Sequence, residues 1–193
     1  FIPASTDPDI LPDTPSGVSY SSNVTAITDG AVAFDDTSAY LSIPSSDDFA
    51  YGTGDFTWEF YVYPTAAGYV LDHDSNGGTI SGSPNGIFDY FNGTTGTGSS
   101  LYTTGFGIVP GNSWTHLAAV RSSGTTYLYK NGILSTSASD SNNYTAQSLR
   151  IGQYGGGGNN YFGGFISNLH IVKGTALYTS NFTPPSAPLT AVQ

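Results

Sequence analysis

The sequence predicts an all-β domain built as an antiparallel sandwich of two sheets, and three observations carry that prediction. Short extended runs recur at turn-punctuated intervals with no amphipathic helical stretch between them. One of them, Gly54 to Tyr63, alternates cleanly: Phe56, Trp58, Phe60 and Val62 point one way and Thr57, Glu59, Tyr61 and Tyr63 the other. The even-numbered face is expected in the core. Finally, the segments Trp114–Arg121, Tyr127–Lys130 and Ile133–Ser137 form a meander. Its second turn, Asn131-Gly132, suits a two-residue type I′ loop, which needs positive φ at both central positions.

Taken in order, residues 1–22 carry Pro3, Pro8, Pro12 and Pro15 among Ser, Thr and Asp and read as an extended lead-in or linker. The domain is expected over 23–193. Its predicted runs lie at 31–35, 39–43, 54–63, 68–72, 86–91, 99–106, 113–121, 125–130, 133–138, 149–153 and 162–173. In the last, Ile166 has the opposite parity from Leu169 and Ile171, so either both faces are buried or a β-bulge resets the register. The segment from Thr175 to Pro185 has room for one helical turn before the double proline and is expected to strap across the sheet edge.

Composition narrows the function. In 193 residues, 4 Lys and Arg stand against 14 Asp and Glu, a formal net charge of -10, so nucleic acid and anionic membranes are poor partners and no nucleic-acid binding is expected. The absence of cysteine removes disulfides, thiol catalysis and zinc-thiolate sites. No run approaches the roughly 18 apolar residues of a membrane-spanning helix, so no membrane insertion is expected. A polar surface of Ser, Thr, Asn, Gly and Tyr points to an extracellular or virion-surface protein.

The meander Trp114-Thr115-His116-Leu117-Ala118 through Arg121, with Leu128-Tyr129-Lys130-Asn131-Gly132, resembles the laminin G-like, or concanavalin A-like lectin, superfamily. Phe34-Asp35-Asp36, with Asp36 in place of the usual glycine, looks like the first hairpin of that family. Gly52–Val62 and Phe162–Ile171 resemble later strands, and Lys173–Pro185 is similar to the ending of bacteriophage and marine-virus members. The resemblance spans about residues 24–185 and implies a concanavalin A-like jelly roll. It also implies a recognition or adhesion module binding cell-surface glycan, or a structural part contacting virion coat proteins, with homo-oligomeric assembly left open. Trp114 and His116 are expected to hold the sandwich together, and His170 is read in the same structural way.

The glycan-degrading branch of the family needs paired carboxylates. Retaining glycosidases hold theirs roughly 5–5.5 Å apart. Glu59 is the only glutamate, and Asp55, the nearest same-face carboxylate on its strand, lies about 13 Å away along an extended backbone. A non-catalytic module is therefore expected, with a glycan-degrading enzyme of the same fold, its carboxylate pair assembled from different strands, as the alternative. Sugars need aromatic platforms and planar amides on loops, which Tyr90, Asn92, Tyr102, Tyr154, Asn159, Asn160 and Tyr161 offer. Two acidic sets are candidates for a structural calcium ion. Asp72, Asp74 and Asn76 match the first half of an EF-hand-type loop, and Asp29, Asp35 and Asp36 form a second cluster.

Overall fold

The computed structural model describes residues 19–20, 30–73, 78–91, 105–156 and 160–186. These form strands β1 (Ser19–Tyr20), β2 (Val32–Asp35), β3 (Leu41–Ser46), β4 (Phe56–Ala66), β5 (Gly68–Asp72), β6 (Thr79–Gly82) and β7 (Gly86–Phe91). After them come β8 (Gly107–Val109), β9 (Thr115–Ser122), β10 (Thr125–Lys130), β11 (Ile133–Ser139), β12 (Gln147–Ile151) and β13 (Gly163–Lys173). They build two antiparallel sheets, one in the order β1-β2-β13-β4-β9-β10-β11, the other β3-β12-β5-β6-β7-β8. The expected two-sheet antiparallel sandwich is the fold observed.

Most expected runs coincide with strands. β6 was not expected, being four residues bounded by glycines, and β1 falls inside the lead-in, where it pairs with β2. Most of the run expected at 99–106 lies outside the described residues, and the strand nearest to it is β8. The turn Asn131-Gly132 has φ of 50° and 76°, the left-handed pair a type I′ loop requires. Ser123-Gly124 makes an equally tight turn, with φ of 48° and 76° between paired Ser122 and Thr125.

The two readings of the last strand resolve in favour of a bulge. The register of β13 against β4 shifts between Ser167 and His170, with Asn168 at φ 51°. Ile166 therefore belongs to the core, and Leu169 and Ile171 pack on that core again beyond the bulge. His170 is delivered to the opposite face, where it pairs with Glu59 of β4.

The sheets meet through a core in which Phe56, Trp58, Phe60 and Val62 are fully buried against Val70, Leu71, Ile80, Phe88, Tyr90 and Phe106. Burying each large side chain contributes about 1.5–3 kcal/mol. The odd-numbered face of β4 departs from simple alternation: Thr57 and Glu59 are fully buried and Tyr61 nearly so. The cover is residues 175–185, which cross the face of the seven-stranded sheet rather than its edge. They form no helical turn, because their backbone groups bond the sheet instead. Thr57 Oγ1 donates to Thr175 O and accepts from Leu177 N–H, Phe182 N–H donates to Gly132 O, and Tyr61 donates to Pro185 O. Phe182 and Tyr178 stack at 3.5 Å and close an apolar patch with Ala118, Val120 and Tyr129.

Glu59 is the polar centre of this second layer. His116 Nε2 lies 3.2 Å from Oε2, His170 Nδ1 lies 2.9 Å from Oε1, and Tyr178 donates to Oε2 at 2.8 Å. An ionised carboxylate can only accept, so each partner donates. Burial alone would raise the Glu59 pKa, but the hydrogen bonds from His116, His170 and Tyr178 outweigh it and hold the carboxyl below its ordinary range. His116 thus has the expected structural role, but beneath the strap rather than between the sheets. Trp114 is half-buried and packs on Tyr63 on the same outer face.

Glu59→Gln is expected to destabilise the domain by about 2 kcal/mol, because charge-assisted bonds become neutral ones. This should lower Tm by roughly 4–8 °C in calorimetry. Tyr178→Phe should lower it less. Since the Glu59 pKa is lowered on folding, its contribution is complete above the unfolded value of about 4.3 and is withdrawn as pH falls through the lower folded value. Denaturant titrations from pH 7 to 3 should therefore show a steeper acid loss in the parent than in Glu59→Gln, and parallel curves would refute the assignment.

Candidate functional site

On the outer face of the six-stranded sheet, register places Tyr69 of β5 opposite Ser81 of β6, and Ser81 opposite Asp89 of β7. Their neighbours Val70, Ile80, Phe88 and Tyr90 point into the core, so this row faces outward by strand alternation. The row floors a cleft of about 410 Å³ whose lining also includes Asp36, Ser83, Asn160 and Tyr161. That volume lies in the range of small-ligand sites.

Local chemistry fixes the walls. Asp36 stands at φ 63°, in a turn held by its neighbour: Asp35 accepts from the backbone N–H groups of Thr37, Ser38 and Ala39 and from the Ser38 hydroxyl. Those backbone bonds hold the Asp35 carboxyl far below the usual range. Across the cleft, Gln153 bridges to Tyr161, and Tyr154 N–H donates to Asn160 O, pairing the legs of a hairpin. The hairpin leg passes so close to β5 that a Cβ on Gly68 would stand 2.1 Å from Tyr161 O. Tyr154 packs on Tyr69 at 4.7 Å, and Tyr40 lies 6.3 Å from Tyr161. Burial raises the Tyr69 phenol, with Tyr154 and Asp72 adding to the effect, so Tyr69 is a neutral donor and apolar platform at pH 7. Burial likewise raises the Asp89 carboxyl, whose buried Oδ1 has no hydrogen-bond partner among the described residues.

The expected sugar-binding residues divide. Asn160 and Tyr161 line the cleft, and Tyr154 supports it through Tyr69. Tyr90 requires correction: it is fully buried, 6.0 Å from Trp58, with its hydroxyl 3.2 Å from that of Tyr144. Its place beside Phe88 in the alternation of β7 turns it inward. Asn92, Tyr102 and Asn159 lie outside the described residues. Tyr69 and Ser81, on strands β5 and β6, and Ser83, just after β6, lie outside the loops in which sugar-binding residues were expected. The parity of Phe88 and Tyr90 was the signal that Asp89 points outward.

The expected calcium ligands do not gather among the described residues. Asp72 is buried, with Oδ1 accepting from Thr79 Oγ1 and Oδ2 from Gly155 N–H, so it fastens the hairpin tip to the sheet. Asp35 is committed to its own turn, and Asp36 belongs to the cleft. Asp29, Asp74 and Asn76 lie outside the described residues. No group of three or more His, Asp or Glu side chains suited to a metal ion occurs among the described residues.

The other charged clusters are interior. Asp140 accepts from Thr126, Tyr144 and the Asn142 N–H, while Arg121 donates to Gly52 O and Asp140 O. His73 is buried between Trp58 and Phe49, with ring nitrogens near Tyr51 Oη and Ser148 O. No helix among the described residues is long and apolar enough to cross a membrane.

No curated protein matches the chain. Among solved structures it is similar to domain 4 of AbnA, a GH43 extracellular arabinanase from Geobacillus stearothermophilus, in complex with arabinotriose. The identity is 20%, the TM-score 0.62, and the match covers 82% of this chain and 76% of that one. The carbohydrate-binding module CBM66 from Bacillus subtilis is 16% identical, TM-score 0.51, over 81% of this chain and 96% of that one. CBM40 of the Ruminococcus gnavus IT-sialidase, bound to α2,3 sialyllactose, is 12% identical, TM-score 0.54, over 74% and 93%. At these identities the likeness is one of fold. The family profile decides more, because it matches residues 35–177, from the turn beside the cleft to the strap over Glu59: the chain belongs to the concanavalin A-like lectin/glucanases superfamily.

Proposed function

We propose that this chain is a non-catalytic recognition module that binds glycan in the Tyr69–Ser81–Asp89 cleft, outside the cell and on a virion surface. The single observation that carries the binding site is the cleft itself. It sets two tyrosines, two serine hydroxyls, an amide and two carboxylates around one small volume on a rigid sheet. Tyrosine faces suit sugar C–H surfaces, and the amide and carboxylates suit hydroxyls. The virion setting rests on the resemblance of Lys173–Pro185 to virus members of the family. Glu59 supports the non-catalytic reading, since it is sealed under the strap and fully buried.

A second reading, a structural part held by neighbouring coat proteins, is favoured by Ile108 of β8 and Ile133 and Leu134 of β11. These are 60%, 57% and 43% exposed on the edge strands of the two sheets. A soluble domain hides such side chains against a partner when it has one.

On a glycan array followed by calorimetry, with calcium and with EDTA, Tyr69→Ala and Tyr161→Ala should each weaken binding about tenfold or more. Ile108→Ser, away from the cleft lining, should leave it unchanged. Binding that survives both tyrosine substitutions would remove the cleft from the account. Reducing-sugar release from polysaccharides, if seen and abolished by Asp89→Asn, would convert the reading to hydrolysis. Loss of a stable coat-protein complex in Ile133→Ser, with no glycan bound, would favour the structural reading.

A further inference from the structure

We infer that the cleft selects uncharged glycans and rejects acidic ones such as sialylated or uronate-bearing chains. The inference rests on the glycan reading above and adds the chemical class of ligand.

The cleft lining contains two carboxylates, Asp36 and Asp89, and no Lys, Arg or His. A third carboxylate, Asp72, is close enough to bear on the Tyr69 phenol. An anionic sugar entering here meets like charge and finds no counter-charge on the walls. Two unit charges about 4 Å apart at a protein surface interact strongly enough to change affinity tenfold or more.

None of the four Lys and Arg of the chain lines the cleft, and each has a hydrogen-bond partner elsewhere. Arg121 is buried, donating to Gly52 O and Asp140 O. Arg150, on β12 beside β5, donates to Gln153 Oε1 and lies over the Tyr40 ring. Lys130 Nζ donates to Ile108 O at 2.8 Å, and Lys173 Nζ to Asp47 O at 2.6 Å. The three histidines are equally committed: His116 and His170 to Glu59, and His73 to the core. With a net charge of -10, the long-range field opposes an anionic ligand as well.

Asp36 allows a clean test of the charge, because asparagine tolerates its left-handed backbone. Affinities are compared for matched pairs: lactose with α2,3-sialyllactose, a xylo-oligosaccharide with its glucuronate-bearing form, and chitin with chitosan oligomers. The uncharged member of an acidic pair should bind about tenfold or more tightly than its partner, with the gap narrowing in 0.5 M salt and in Asp36→Asn. The amine-bearing chitosan should bind at least as well as chitin. An acidic member that binds as tightly as its uncharged partner, or more tightly, would overturn this selectivity and leave glycan binding standing. No binding by any member of any pair would overturn the glycan reading and this inference together.

Discussion

Strand β4 is the constraint on which the rest of the molecule depends, because it is buried on both faces. Its even-numbered side chains, Phe56 to Val62, supply the centre of the sandwich. Its odd-numbered ones lie under residues 175–185 and centre on a carboxylate that is fully buried. A buried carboxylate is costly unless its lone pairs are met by donors. Glu59 has His116 from β9, His170 from β13 and Tyr178 from the strap, one donor from each element packed against it. The interaction therefore ties the two strands flanking β4 to the strap that covers them. It also accounts for the bulge at Asn168: without that extra residue, the parity that puts Ile166 in the core would turn His170 away from Glu59.

The cleft is made by the same device used the other way. On the six-stranded sheet, register aligns Tyr69, Ser81 and Asp89 on the outward face while their neighbours fill the core. The floor is consequently as rigid as the sheet. The walls are held separately. Asp35 fixes the turn that carries Asp36, and Asp72 fastens the hairpin tip through Gly155 N–H. Asp35 and Asp72, two of the expected cation ligands, thus act by accepting hydrogen bonds from backbone and hydroxyl donors, which shape the cleft.

Much of the architecture was legible in the sequence. Alternation from Phe56 to Val62 located the inner face of β4, the Asn131-Gly132 turn set the β10–β11 hairpin, and the parity conflict at Ile166 left a bulge or two buried faces, between which the register of β13 decides. The candidate site was legible only in part. Asn160 and Tyr161 are legible because they stand in a Gly-rich hairpin, whereas Tyr90 has the residue type of a sugar platform but the inward parity of Phe88. Tyr69 and Ser81 carry no local mark, since their significance comes from cross-strand alignment.

The sequence by itself determined the class of fold, the inward face of β4 and the scarcity of positive charge. Periodicity, turn chemistry and composition are local or additive properties of the chain. Only the tertiary structure decided that residues 175–185 cover a sheet face and that Glu59 collects donors from three elements. It alone gathers Asp36, Tyr69, Asp89 and Tyr161 around one cleft. These relations join residues far apart in the chain, Tyr178 and Glu59 being 119 positions apart, and such pairings depend on strand order and register, which no single segment encodes.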